Sequence, residues 1–85
     1  MKRFLYFYLM RNAPDAIRQF VPAHVQYWGT LDLPDYIGGS FADRTGGLIT
    51  FAAASLDDAQ HIIMEDPFVR DRLIEQSWIK EWLIE

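Results

Sequence analysis

The period of the hydrophobic positions changes several times along this chain, and each change marks an element. Phe4 to Met10 is an aromatic and aliphatic run of strand length without clean alternation. Such a run predicts a central strand buried on both faces. Asn12-Ala13-Pro14-Asp15 then opens a helix, since proline suits a first helical turn. Along that helix Ile17, Phe20, Val21, Val25 and Trp28 fall on one side, at the spacing of a buried stripe. Pro22 lies inside it, so a kink or a restart is expected near Val21. Gly29 marks the expected stop.

Tyr36 to Phe41 reads as a short strand interrupted by Gly38-Gly39, where a bulge or the close approach of another group is expected. Ala42 to Gly47 reads as a turn and Leu48 to Ala54 as the next strand, together a hairpin. Ser55 is the N-cap of a second helix, with Asp58 at its third position. Leu56, Ala59, Ile62 and Ile63 make its buried face, and His61 points away. Asp66-Pro67 opens a helical turn through Arg72. Gln76 to Ile84 is the last strand, with Trp78, Lys80, Trp82 and Ile84 on one face and Ser77, Ile79, Glu81 and Leu83 on the other. The order βαββαβ predicts an α+β protein with the ferredoxin-like plait, one antiparallel sheet carrying two helices on one face. The other face is left uncovered, which predicts a partner. Two such sheets packed face to face make a dimeric α+β barrel.

Composition sharpens the partner argument. The chain has 85 residues, the size of a single domain spanning 1–85. Half of them are hydrophobic and there is no cysteine, so neither a disulfide nor a thiolate metal site is available to so small a core. A homodimer through the sheet face is the expected way to bury the apolar excess. The net charge of −4 and the lack of a basic patch argue against nucleic acid. No apolar run approaches the roughly 20 residues that span a bilayer. Lys2-Arg3 is not followed by a signal-like apolar segment and cleavage site. No membrane association and a cytoplasmic location are expected.

One position in the first helical stripe breaks its chemistry. Where the i+7 place from Ile17 calls for an apolar side chain, the residue is His24. A titratable ring on an inward face must find a partner. Asp66 is a candidate partner far along the chain, although as a residue before proline it has its own structural role as an N-cap. If the two meet in a pocket, a His–Asp pair without a metal can transfer protons. A metal site calls for more ligands, and only two histidines exist. No phosphate loop or nucleophile elbow occurs.

Several short strings appear together in order: Pro22-Ala23-His24, the Gly39 region, Gly46-Gly47-Leu48, Ser55-Leu56-Asp57-Asp58-Ala59, Asp66-Pro67-Phe68-Val69, and a terminal strand ending in Trp82. In this order and spacing the chain resembles the YciI-like (YCII-related) domain proteins of the dimeric α+β barrel superfamily. The resemblance implies that His24 and Asp66 form the marked polar pair, proposed in that family as an active site. It also points to the glycine before the hairpin, Gly39, as part of a substrate-binding region. The family usually has proline next; here Ser40 follows, and its hydroxyl is a candidate substrate donor. A dehydrochlorinase acting on a chlorinated hydroxyquinone belongs to the family, and lactone isomerases share the superfamily fold. The resemblance therefore implies a small cofactor-free enzyme, with His24 and Asp66 catalysing elimination or isomerisation of a small hydroxylated or carbonyl compound. The alternative is a non-catalytic dimeric ligand-binding or accessory module. An open pocket at the pair favours the enzyme, and a pair sealed by packing favours the module.

Overall fold

The computed structural model describes residues 1–85. Its elements run β1 (Lys2–Met10), α1 (Pro14–Thr30), β2 (Ile37–Ser40), β3 (Gly46–Ala53), α2 (Leu56–Met64), α3 (Pro67–Arg70) and β4 (Ile74–Glu81). The strands form one antiparallel sheet in the order β2-β3-β1-β4. This is the expected ferredoxin-like α+β plait, with the short α3 added after α2.

The core lies between the sheet and the helices. Phe4, Tyr6 and Tyr8 of β1 pack with Ile49 and Phe51 of β3 against Trp28 of α1, Ala59 and Ile63 of α2, and Phe68 of α3. The expectation that β1 is buried on both faces needs correction. Its burial alternates strictly, because helices cover one face only. Leu5, Phe7 and Leu9 point to the opposite face and are half-buried. The run reads as continuous because that second face is also apolar. Across it Phe7 lies in register with Leu48 on one side and Trp78 on the other. The Phe7 ring packs 5.2 Å from that of Phe41 and 5.3 Å from that of Trp78. Ile37 and Trp78 on this face are exposed in the single chain.

The first helix also departs from expectation. It runs unbroken from Pro14 to Thr30 with Pro22 inside it. Proline removes the N–H that would reach the Arg18 carbonyl. Both residues lie on the exposed side, where that carbonyl is within reach of water. Gly29 does not stop the helix. The chain turns after Leu31, and Asp32 takes the left-handed conformation with φ 49°. Within the stripe, Trp28 is buried and Ile17 and Phe20 are half-buried, whereas Val21 and Val25 are exposed.

The hairpin is shifted from its predicted limits. β3 begins at Gly46, so Gly46 and Gly47 are strand residues rather than turn residues. Neither has a positive φ. They are required by close approach: a Cβ on Gly46 would overlap the Tyr8 carbonyl, and one on Gly47 would overlap the Tyr8 hydroxyl. The left-handed turn position belongs to Arg44, at φ 63°. In α2, Ser55 caps as expected by accepting from the Asp58 N–H at 3.1 Å. Leu56 is exposed, however, because it opens the helix one turn before the first buried residue, Ala59. β4 spans Ile74–Glu81 rather than 76–84. Ile79 pairs with Tyr6 on the helix side, and Trp78 and Lys80 lie on the open face. Beyond it, only the Trp82 N–H still reaches the sheet, donating to the Arg3 carbonyl at 2.8 Å.

Candidate active site

Asp66 anchors the site from the junction of α2 and α3. Its backbone is extended (φ −60°, ψ 130°), and Pro67 starts α3 immediately after it. The carboxylate accepts the Phe68 N–H at 2.9 Å, the N-cap bond expected of an aspartate before proline. It is fully buried, so its remaining lone pairs need donors from elsewhere. Two come from α1. Trp28 Nε1–H donates to Oδ2 at 2.9 Å, and His24 Nδ1 lies 2.9 Å from Oδ1 and 3.0 Å from Oδ2. Residues four apart share a helix face, so His24 and Trp28 reach the same carboxylate one turn apart.

This arrangement assigns the His24 tautomer. An ionised carboxylate only accepts, so Nδ1 carries the hydrogen and the neutral ring holds its lone pair on Nε2. The ring plane is held by Phe68, whose ring stacks on it at 4.0 Å and 10°. Tyr8 packs edge-on to the same imidazole at 6.1 Å. The pair is not sealed. His24 lines a cavity of about 500 Å³, within the range of small-molecule sites. Only Arg3 Nε and Tyr6 Oη are buried side-chain donors or acceptors without partners. His24 Nε2 and Tyr8 Oη also lack protein partners, and both are open to this cavity.

The walls are aromatic and backbone-lined. Tyr8, Tyr36 and Phe68 contribute rings, and Ile17, Val21 and Val25 supply the α1 side. The two valines exposed on the helical stripe thus border the cavity. Tyr36 stacks on Trp28 at 6.0 Å and 12°, and its hydroxyl occupies the space that a side chain on Gly38 would fill. Burial raises the affinity of the Tyr8 phenol for its proton, and the Asp66 charge raises it further. Tyr8 is thus a neutral hydrogen-bond donor at the wall. Gly39 and Ser40 both line the cavity. In register Ser40 lies opposite Gly47, on the same sheet face as Tyr8, while Gly39 lies opposite Leu48. No hydrogen bond joins Ser40 to His24 or Asp66. The charged wall residues are Arg11, Arg18 and Arg44.

Sequence reasoning singled out His24 and Asp66 but missed three of the groups that complete the site. Trp28 figured as an apolar stripe residue, and its indole N–H was overlooked; its i+4 relation to His24 was the available signal. Phe68 was visible only as part of Asp66-Pro67-Phe68, without its stacking role. The arginines come from separate segments, and nothing in their local sequence shows that they converge. His61 is exposed as expected, with Nδ1 2.9 Å from the Asp57 carbonyl of its own helix. No group of three or more His, Asp or Glu side chains comes together as a metal site. No helix is long and apolar enough to cross a membrane.

Comparison with known proteins places this geometry in context. The model of the YCII-related domain matches residues 1–83. Among solved structures, the chain is similar to the 5-chloro-2-hydroxyhydroquinone dehydrochlorinase of Burkholderia phenoliruptrix AC1100, determined in complex with 2,5-dihydroxybenzoquinone. The TM-score is 0.85 with 22% identity, over 95% of this chain and 93% of that one. At that identity the likeness establishes the shared fold. No curated protein matches the chain.

Proposed function

The chain belongs to the YCII-related domain family, and from that premise we propose that it is a small cofactor-free enzyme acting by proton transfer on a hydroxylated or carbonyl compound. The observation that carries this reading is the division of labour on His24: Nδ1 is held by a buried carboxylate while Nε2 is open to the cavity. In the proposed reaction Nε2 takes a proton from the carbon next to the substrate carbonyl, or from a hydroxyl conjugated with that carbonyl through a double bond. The electron pair moves onto the carbonyl oxygen, and Tyr8 donates a hydrogen bond to it. Asp66 holds the imidazolium that forms. In an elimination the electron pair then returns and expels an anionic leaving group. In an isomerisation His24 returns the proton to another carbon. Such a step contributes about 10²–10⁴-fold in rate. Elimination is the preferred variant, because a structural relative of this chain is a dehydrochlorinase. Ser40 and the Gly39 backbone are proposed to contact the substrate at the far wall.

The active form is proposed to be a homodimer through the open sheet face. The support is the apolar row of Phe7, Leu48 and Trp78, which helices do not cover. The test of the catalytic reading is proton exchange and elimination in deuterated water, followed by NMR over a panel of chlorinated hydroxyquinols and small β-substituted carbonyl compounds. Wild type is expected to exchange or eliminate with at least one class, and His24→Gln to lose about 10²-fold or more. A turnover indifferent to His24→Gln refutes the assignment. Ligand binding without any turnover favours the accessory module.

A further inference from the structure

The charge on the cavity wall runs against the charge of the chain. Acidic residues outnumber basic ones by 12 to 8, yet the residues that line the cavity include no Asp or Glu and three arginines. Arg18 is offset by Asp15 at 3.3 Å. Arg11 and Arg44 have no acidic partner.

Both of these arginines sit on restrained backbone. Arg11 directly follows β1, and its N–H donates to the Leu73 carbonyl at 2.8 Å. Arg44 occupies the tip of the hairpin, where its N–H donates to the Phe41 carbonyl at 2.9 Å. The neighbouring Asp43 makes no ion pair with it. That carboxylate accepts from the Thr45 hydroxyl at 2.7 Å and the Thr45 N–H at 3.1 Å. Arg11 and Arg44 thus flank the same end of the sheet, where the Met10 N–H donates to the Thr45 carbonyl at 2.7 Å, and both line the one cavity without an acidic partner.

We infer that the cavity selects a small organic anion, a compound already carrying a carboxylate or an ionised enol or phenol, with Arg11 and Arg44 as its specificity residues. The inference rests on reading this cavity as the substrate site. Its physical basis is the buried Asp66 charge behind His24. An anion brought up to Nε2 is repelled by that carboxylate, and the repulsion is strong where water is excluded. Cations on the opposite wall offset it. Guanidinium groups also match the planar geometry of a carboxylate or enolate and form charge-assisted hydrogen bonds to it. Negative charge developing during proton abstraction gains from the same two groups.

The test uses salicylate and its neutral counterpart salicylamide as probes of equal shape. Dissociation constants near neutral pH are read by NMR titration on wild type, Arg11→Met, Arg44→Met and the double variant. Wild type is expected to prefer salicylate by about tenfold, and each single variant to lose about threefold for salicylate alone. The double variant is expected to bind the two probes equally, and added salt to weaken only salicylate. Equal affinities in wild type, no saturable binding of salicylate, or a preference that survives in the double variant overturns the inference. Binding is read without turnover, so the two readings fail separately. A silent His24→Gln in the turnover assay leaves the charge preference standing. Equal affinities of wild type for the two probes overturn the charge preference while the His24→Gln turnover assay is judged by itself.

Discussion

Replacing Asp66 separates what its carboxylate does for the fold from what it does for His24. In the native chain it accepts from the Phe68 N–H, Trp28 Nε1 and His24 Nδ1 at 2.9 Å each. Asp66→Ala removes all three acceptor contacts. Loss of the cap costs about 1 kcal/mol. Trp28 is 1% exposed, so its indole N–H is left buried without a partner, at about 1–3 kcal/mol more. His24 lies at the cavity edge and can move its hydrogen to Nε2, so its share is small. The sum, about 2–4 kcal/mol, is a large part of the stability of a domain this small. Asp66→Asn behaves differently. Its one carbonyl oxygen can keep the Phe68 cap at the Oδ1 position, but the amide NH2 then faces the buried Trp28 N–H that bonds Oδ2 in the native chain. A loss of about 1–3 kcal/mol is expected, less than for Asp66→Ala because the cap survives. The amide also presents a donor to Nδ1. Two donors cannot face each other, so the hydrogen moves to Nε2 and the ring loses its base at the cavity. In Ser-His-Asp triads the same tautomer reversal costs about 10⁴-fold. Denaturant melts measure the stabilities, and imidazole ¹⁵N shifts report the tautomer without a substrate. An Asp66→Ala protein as stable as wild type refutes the burial argument. A persistent Nδ1–H tautomer in Asp66→Asn refutes the tautomer argument.

Two further outcomes follow from the same packing. Trp78→Glu places a carboxylate in the apolar row of the open sheet face, and sedimentation is expected to change from dimer in wild type to monomer in the variant; a wild-type monomer at micromolar concentration removes the basis for the homodimer. All four tyrosines (Tyr6, Tyr8, Tyr27 and Tyr36) hold their protons more tightly in the fold, through burial first and the Asp66 charge second. The unfolded chain therefore releases its phenolic protons first, and stability is expected to fall as pH rises past the ordinary phenol value of about 10. Melts at increasing pH, with tyrosinate absorbance followed alongside, check this. Native protein that forms tyrosinate near that value without losing stability contradicts it.

The order of elements was legible in the sequence because it depends on local signals. Ser55 and Asp66 are good caps wherever they stand, and the period change from strand to helix follows from chain geometry alone. His24 was legible for the same reason, as a polar break in an apolar stripe, and the resemblance to a family supplied Asp66 as its partner. What needed tertiary structure was every property set by a neighbour distant in sequence. Gly46 and Gly47 looked like turn residues, but Tyr8 on the adjacent strand demands their missing side chains. Pro22 looked like a helix break, but on its exposed side the freed carbonyl is within reach of water. Val21 and Val25 looked like core, but they edge a cavity whose opposite wall is the β2–β3 hairpin. Trp28 looked purely apolar until the fold set its indole N–H against a carboxylate 38 positions away in sequence. Periodicity records which face of an element turns inward; it carries no information about which atoms wait there, because those arrive from other segments only when the chain closes.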